Sequence, residues 1–359
     1  MPIIKHRIIG INHMTKIAIN GFGRIGRLTL RRILNNHPDL EVVAINDLMP
    51  AETAQYLLKF DSAYGRFNKE VSLKKGTKGA VGKLAIGNQD ILVFNESDPI
   101  NLPWEELGVE IVIESTGKLS ARKDLAKHLE AGAKRVVISA NCKEADLPIV
   151  FGVNHEEYSP KKHQIISNCS CTTNCAVPVI NILDKNWGID KAQLTTVHAI
   201  TASQSSVDGA KKDIKDGRAG FSNIIPSETG AAKAVAWILP WLKDRISGLA
   251  YRVPVLTGSV LEIIAQTKQE TSAPEINEAF KKAAKGELNG VLAVSDENMV
   301  SSDIIGTDFA AIVDLGLTEV MNLPKVKDQN LVKVVAWYDN EWGYCCQLAR
   351  LVEYIGKKK

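Results

Sequence analysis

A three-glycine turn near the start leaves this chain the fewest ways to fold. Gly21, Gly23 and Gly26 stand in Gly-Phe-Gly-Arg-Ile-Gly. Residues 16–20 (Lys-Ile-Ala-Ile-Asn) read as a short buried strand before them, and residues 24–35 as a helix after them. A second strand, residues 41–46, ends at Asp47, which lies 47 − 26 = 21 positions past the last glycine. A lone Gly-x-Gly-x-x-Gly is weak evidence. The same spacing between a strand and a helix, with an acid about 20 residues on, marks a dinucleotide-binding βαβ unit. Gly21 permits the tight turn, Gly23 lets the backbone approach a pyrophosphate, and Gly26 allows close helix–strand packing. The helix start, at Arg24 and Ile25, offers N–H groups to phosphate. Asp47 can accept from an adenosine ribose, which favours NAD over its 2′-phosphorylated relative.

The βα alternation continues. Residues 51–60 read as helix, 61–69 as a polar loop and 71–94 as hairpin strands with glycine-rich turns. Residues 111–114 form a buried strand, 122–131 a helix closed by Gly132, and 136–139 another strand ending at Ser139. Short links between such elements predict an α/β, Rossmann-type doubly wound parallel sheet. Ligands of such sheets bind beyond the carboxyl ends of strands, which makes Thr116 and Gly117 further cofactor contacts.

Length and composition bound the rest. The chain has 359 residues, enough for about two domains. It is 45% hydrophobic and 24% charged, with a net charge of +3 spread along the sequence. That balance makes no case for a nucleic-acid or membrane surface. No apolar run reaches transmembrane length. Residues 1–13 lack the continuous apolar core of a signal peptide and read as an N-terminal extension. Six cysteines with no secretion signal point to free thiols and a cytoplasmic location.

The second focus is Ser167 to Cys175, Ser-Asn-Cys-Ser-Cys-Thr-Thr-Asn-Cys. It follows a strand-like run (Gln164, Ile165, Ile166) and leads into an apolar, helix-compatible segment. Cys171 is thereby placed near a helix N-terminus, where N–H groups and the dipole lower a thiol's pKa and favour covalent chemistry with a carbonyl. Zinc ligation, disulfides and plain buried thiols are the alternatives. The cysteine spacings of two and four are not Cys-x-x-Cys, and no second ligand pair follows, so no metal is expected.

Residues 194–199 (Leu-Thr-Thr-Val-His-Ala) form a β-rich run carrying His198, the natural partner for a catalytic thiol. A long polar loop occupies residues 202–223. Thr229-Gly230 then opens a helix at residue 231, a second anion-site geometry. Arg252 lies in a β-like run and can read phosphate with its fork of donors. Residues 257–268, 290–295, 309–315 and 331–337 suggest strands around a helix near residues 274–284, a mixed or antiparallel sheet in a second, α+β domain. The aromatic run Trp337-Tyr338-Asp339-Asn340-Glu341-Trp342-Gly343-Tyr344 precedes an amphipathic C-terminal helix.

Taken in order, these motifs resemble the phosphorylating glyceraldehyde-3-phosphate dehydrogenases, whose active-site signature reads Ser-Asn-Ala-Ser-Cys-Thr-Thr-Asn. The likeness runs from about Thr15 to Ile355. It implies a Rossmann domain at 14–166, completed by a C-terminal helix at 340–357, and a catalytic and oligomerisation domain at 167–339. It implies Cys171 as nucleophile and His198 as base. Glyceraldehyde 3-phosphate is then oxidised with NAD through a thioester that inorganic phosphate releases. Thr201 and Arg252 would hold the substrate phosphate, and Ser170, Thr172, Thr229, Gly230 and Arg218 the attacking phosphate. Asn340 would meet the nicotinamide amide with Tyr344 nearby, and the 202–223 loop would line a neighbour's cofactor site in a homotetramer. Erythrose-4-phosphate dehydrogenase is the nearest rival. Semialdehyde dehydrogenases fit less well because Asp47 opposes a 2′-phosphate, and a non-catalytic relative would be expected to lack the thiol or the histidine.

Three departures stand out. Ala210 replaces a proline common in NAD-specific members, Glu228 replaces a serine before Thr229, and Cys169 replaces alanine beside the nucleophile. An accessible, low-pKa thiol at Cys171 with a thiol neighbour at Cys169 predicts faster oxidative inactivation than in an alanine variant at 169.

Overall fold

The computed structural model describes residues 14–321 and 330–358. The extension read at residues 1–13 lies outside the described residues.

A nine-stranded sheet is built first. Its strands are β1 (Thr15–Asn20), β2 (Leu40–Asn46), β3 (Val71–Lys74), β4 (Gly82–Ile86), β5 (Gln89–Phe94), β6 (Ile111–Glu114), β7 (Arg135–Ile138), β8 (Leu147–Pro148) and β9 (Ile165–Ser167). Helices α1 (Arg24–Asn36), α2 (Ala51–Lys59), the single turn α3 (Trp104–Leu107) and α4 (Arg122–Glu130) intervene. The strand order is β3-β4-β5-β2-β1-β6-β7-β9-β8. From β5 to β8 every pairing is parallel; only the edge hairpins β3-β4 and β4-β5 are antiparallel. Parallel strands are covered on both faces, which is why β6 (Ile-Val-Ile-Glu) is buried along its whole length. The order reverses at β1, with β2 on one side and β6 on the other. A crevice opens at such a switch point, beyond Asn20, Asn46 and Glu114.

The second sheet has seven strands, in the order β11-β12-β10-β13-β16-β15-β14. These are β10 (Ile189–Ala199), β11 (Ile225–Glu228), β12 (Ile246–Val253), β13 (Ser259–Thr267), β14 (Leu292–Ser295), β15 (Ala311–Val320) and β16 (Leu331–Tyr338). Two pairings, β10-β12 and β14-β15, are parallel and the rest antiparallel, so the sheet is mixed. Strand β13 alternates buried and half-buried residues along its length. Its buried face packs against α5 (Cys171–Trp187), and α6 (Ala231–Ile238) and α7 (Ala273–Lys285) complete that core. The last helix, α8 (Trp342–Lys357), returns to the first sheet, where Leu348, Leu351, Val352 and Ile355 join Ile17, Leu30 and Ile33.

The structure extends several elements read from sequence. Helix α5 begins at Cys171 itself, because the Ser170 hydroxyl caps it by accepting from Thr173 N (3.1 Å). Strand β12 starts five residues before Tyr251, held by β10 along its whole length. Strand β15 runs on to Val320 through an irregular register against β16.

Candidate active site

Cys171 is the one residue of the nucleophile segment that packs against both large hydrophobic cores. Strand β9 delivers the chain to the junction, and a tight turn reverses it into α5. That turn needs a left-handed residue, and Cys169 takes it (φ 57°). The Cys169 carbonyl is fixed from the far side by the Tyr344 hydroxyl of α8 (2.9 Å).

The Cys171 sulfur lies 3.4 Å from Nε2 of His198. His198 and Arg252 are paired across the parallel β10-β12 ladder. Nδ1 of His198 lies 2.7 Å from the Ala199 carbonyl oxygen and 2.6 Å from an Arg252 guanidinium nitrogen. These neighbours ask for opposite tautomers. A proton on Nδ1 satisfies Ala199 and leaves Nε2 free to take the thiol proton. A bare Nδ1 accepts from Arg252 and turns an N–H toward the sulfur. The ring can thus serve as base or as donor, according to where the guanidinium sits.

Burial and the Arg252 charge together push His198 down to about 3. The thiol expectation needs correcting. Burial raises Cys171 above the ordinary thiol value, and the Arg252 charge and the local hydrogen bonds with Thr172 oppose it without winning. A helix N-terminus alone does not activate this thiol; it needs the imidazole to take its proton. Arg252 Nε is buried without a partner, a donor in place for an incoming anion.

The expected phosphate-binding residues divide. Thr172 is buried and its hydroxyl is engaged with Tyr338 (3.0 Å). Ser170 is committed to its helix cap. Gly230 caps α6, and the Thr229 hydroxyl accepts from Ala231 N (3.1 Å). Asn141, which sequence reasoning missed, lies between the two helix starts. It accepts weakly from the Thr173 hydroxyl (3.4 Å), and its Nδ2 would stand 3.4 Å from a Cβ added at Gly230. Thr201 lies two residues past β10, its hydroxyl against Ser203 (2.8 Å) and Gln204 (3.1 Å). Arg218 is not gathered in: it stands in solvent and pairs with Asp208 (3.1 Å). Glu228 is on the exposed face of β11, so it brings no repulsion to the phosphate residues.

The dinucleotide crevice is a cavity of about 240 Å³ lined by Gly21, Gly23, Asp47 and Thr116 among others. Its shape fits the cofactor. Gly21 has φ 92°, and a side chain there would collide with the backbone of Thr116. A Cβ on Gly26 would strike the Gly21 carbonyl, whereas one on Gly23 would meet nothing within 4 Å, the open approach a pyrophosphate needs. No side chain caps α1, so its first N–H groups, Arg24 and Ile25 included, remain for an anion. The Asp47 carboxylate accepts from Phe22 N (2.6 Å) and Met49 N (2.9 Å), which fixes its direction and leaves lone pairs for a ribose. Ser139 follows β7 and is tied by its backbone N–H to Glu114 O (2.9 Å), while Gly117 (φ 68°) turns the chain after Thr116.

Two cofactor expectations change in detail. The Arg24 guanidinium is bound to Glu341 (2.9 and 2.5 Å) and to Asp61, so its fork is engaged by carboxylates and its backbone N–H is what the helix start offers to phosphate. The buried Tyr344 hydroxyl is used on Cys169 and is not free for a ligand. Asn340 is buried with its side-chain oxygen accepting from Gly258 N (3.1 Å) and the Ser259 hydroxyl (2.9 Å), which leaves its amide N–H groups to donate. Cys169 also departs from expectation. It is fully buried and its thiol is pushed up to about 12, so the premise of a reactive thiol neighbour fails. Among the described residues no cluster of three or more His, Cys, Asp or Glu could hold a metal ion, and no helix is long and apolar enough to cross a membrane.

The comparisons with known proteins agree with this geometry. Residues 15–122 match the model of the glyceraldehyde 3-phosphate dehydrogenase NAD binding domain, and residues 170–340 that of its C-terminal domain. The glyceraldehyde-3-phosphate dehydrogenase of Geobacillus stearothermophilus is 48% identical over 343 residues, 96% of this chain and 98% of the relative. Glyceraldehyde-3-phosphate dehydrogenase 1 of Bacillus subtilis (strain 168) is 46% identical over 343 residues, again 96% and 98%. The glyceraldehyde-3-phosphate dehydrogenase of Chlamydia pneumoniae is 45% identical over 344 residues, 95% of this chain and 99% of that one. Fold, crevice, thiol–imidazole pair and likeness over almost the whole length converge: this chain belongs to the glyceraldehyde-3-phosphate dehydrogenase family.

Proposed function

We propose that this chain oxidises D-glyceraldehyde 3-phosphate to 1,3-bisphosphoglycerate with NAD and inorganic phosphate, through a thioester on Cys171. The observation that carries the reading is the 3.4 Å approach of the Cys171 sulfur to His198 Nε2 at the start of α5, with Arg252 beside the ring.

The thiol proton passes to His198 Nε2 as the sulfur adds to the aldehyde carbon. The first N–H groups of α5 face the oxygen that gains charge. The imidazolium returns that proton to the oxygen, which gives the hemithioacetal hydroxyl and a neutral ring; His198 then takes the hydroxyl proton back as the carbon gives up its hydride and becomes a thioester. NAD, when bound, supplies the hydride acceptor. Phosphate attack on the thioester breaks the C–S bond and returns the thiolate, which recovers its proton from the imidazolium. An anion on Arg252 offsets the charge that depresses His198, so substrate binding itself makes the imidazole a better base. Thr201 and Arg252 hold the substrate phosphate. Ser170, Thr172, Thr229, Gly230 and Arg218 form the second phosphate site, with Thr172 acting through its backbone and Arg218 brought in by a rearrangement of the 202–223 loop. The backbone of Gly21, Gly23, Arg24, Ile25 and Gly26, with Asp47, Thr116, Gly117, Ser139 and Asn340, holds NAD, and Tyr344 supports the turn beneath the thiol.

The division into a cofactor domain (14–166, completed by 340–357) and a catalytic domain (167–339), a homotetrameric assembly and a cytoplasmic location complete the proposal. The test is an initial-rate assay with glyceraldehyde 3-phosphate and erythrose 4-phosphate, each with NAD or NADP and with or without phosphate. Phosphate-dependent NAD reduction, faster with the triose, is expected. Preference for the tetrose, or no reduction with either aldehyde, overturns the reading.

A further inference from the structure

Beneath the cofactor crevice runs a chain of buried polar side chains that the chemistry above does not use. Glu114, the last residue of β6, is 1% exposed, and His128, on α4, is 0% exposed. Glu114 Oε1 accepts from the Thr116 backbone N–H (2.8 Å) and from the Thr116 hydroxyl. Its Oε2 accepts from Asn20 Nδ2 (2.6 Å) and faces His128 Nε2 (3.2 Å). On the other side of the imidazole, Trp104 Nε1 lies 3.0 Å from Nδ1.

An indole nitrogen only donates. Nδ1 of His128 is therefore bare, its proton is on Nε2, and Nε2 donates to Glu114. Four donors thus converge on one carboxylate. The chain continues outward. Asn20 Oδ1 accepts from Asn46 Nδ2 (2.7 Å), and the Asn46 side chain grips Glu96 through both its N–H and its carbonyl (2.9 Å each). Asn20, Asn46, Glu96 and Thr116 all line the crevice. Ser115 adds a hydroxyl bond to the Gly21 carbonyl (2.7 Å), and the bare Cα of Gly21 backs onto Thr116.

We propose that Glu114 is a positioning residue for the dinucleotide: through Asn20 and Thr116, with its partner ring oriented by Trp104, it sets the geometry of the crevice and hence cofactor affinity. It touches neither cofactor nor reacting atoms, and the proposal rests on the NAD reading. What singles it out is polarity rather than shape. A glutamine has the same outline, but whichever way its amide turns the NH₂ faces a donor, Asn20 Nδ2 and His128 Nε2–H on one side or the Thr116 backbone N–H on the other. Turning the His128 proton to Nδ1 only moves the clash to the Trp104 N–H. The conflict is then relieved by moving Asn20 or Thr116, the crevice walls.

The test measures the NAD dissociation constant for wild type, Glu114→Gln, Trp104→Phe and the double variant, together with the aldehyde KM and the alkylation rate of Cys171. Glu114→Gln is expected to weaken NAD binding about tenfold, the scale of a lost charge-assisted hydrogen bond, with aldehyde KM and alkylation within about twofold of wild type. Trp104→Phe, which removes the N–H together with part of a fully buried ring, is expected to weaken it about threefold, and the double variant no further than Glu114→Gln, because both act through one chain. Unchanged NAD affinity in either single variant, or losses that multiply in the double, overturns the proposal even if thermal stability falls. Should Glu114→Gln not fold, Trp104→Phe alone decides by the same NAD and KM readings. A wild-type chain that does not bind NAD overturns the cofactor reading as well.

Discussion

Replacing Arg24 with methionine should destabilise the chain by about 2–3 kcal/mol, between the 0–1 of an exposed ion pair and the 3–5 of a broken buried one. The guanidinium bridges two carboxylates from distant parts of the chain. It binds Glu341 at the start of α8 through two N–H groups (2.9 and 2.5 Å) and Asp61 after α2 through a third. The Arg24 side chain is 29% exposed, so solvent recovers part of the loss, but Asp61 and Glu341 are only 2% and 14% exposed. Asp61 keeps two backbone donors, Ala63 N (2.9 Å) and Tyr64 N (3.1 Å), which holds the loss below the fully buried limit. The assay is urea denaturation of wild type, Arg24→Met and Arg24→Lys at one protein concentration. Lysine keeps the charge but loses the fork, so it should recover only part of the deficit. The pH dependence gives the sharper check. Hydrogen bonds from Arg24 and the backbone hold the Asp61 carboxylate below its ordinary 3.8. A depressed carboxylate stabilises above its unfolded pKa, and that stability is lost as pH falls through the folded one. The gap between wild type and Arg24→Met should therefore be full at pH 7 and shrink as pH falls below about 4. A gap under about 0.5 kcal/mol at pH 7, or one that does not narrow in acid, would show that the Arg24 bridge does not hold these carboxylates.

His198→Asn should lower kcat by roughly 10²–10⁴ while leaving Cys171 in place, since it removes the only base within reach of the sulfur among the described residues; a loss under about tenfold counts against that role. The same variant should flatten the acid limb of the stability curve. His198 is held at about 3 against an ordinary 6.5, so between those values only the unfolded chain takes the proton, and wild-type stability falls with pH by up to about 1.4 kcal/mol per unit from this group. Arg252→Leu should raise the KM for glyceraldehyde 3-phosphate more than tenfold, on the scale of a lost charge-assisted contact; a KM near wild type would remove Arg252 from the substrate phosphate site. Cys169→Ala should be inactivated by hydrogen peroxide at the wild-type rate, because the buried Cys169 thiol is held near 12 and supplies no thiolate; markedly slower inactivation would show that Cys169 takes part.

The first sheet was legible because local rules write it. Steric need places Gly21 and Gly26, Gly23 keeps the approach to the crevice open, and burial on both faces makes the parallel strands continuous apolar runs. A helix start near Cys171 was legible from a strand followed by Ser, Asn and Thr residues that can cap, but which of them caps it, Ser170, is settled only in the structure. Long-range partners left no local mark. Nothing near Arg24 in the sequence announces Glu341, 317 residues away. Nothing near Glu114 announces that His128 and Trp104 will be stacked beneath it. The thiol's pKa failed for the same reason: the helix N-terminus is local and visible, whereas the burial that outweighs it exists only where two cores meet at Cys171. Arg218 shows the converse, a motif residue whose position depends on a loop that no neighbouring element in the chain holds against the thiol.

The proposed reaction turns on acylation of Cys171. Enzyme, NAD and glyceraldehyde 3-phosphate mixed without phosphate and quenched within one turnover test it directly, by counting NADH and weighing the peptide that carries Cys171. One NADH per chain, with a 3-phosphoglyceroyl mass on that peptide, followed by steady turnover once phosphate is added, is the expected result. Unabated NADH formation without phosphate, or an unmodified Cys171 after the burst, would contradict the account.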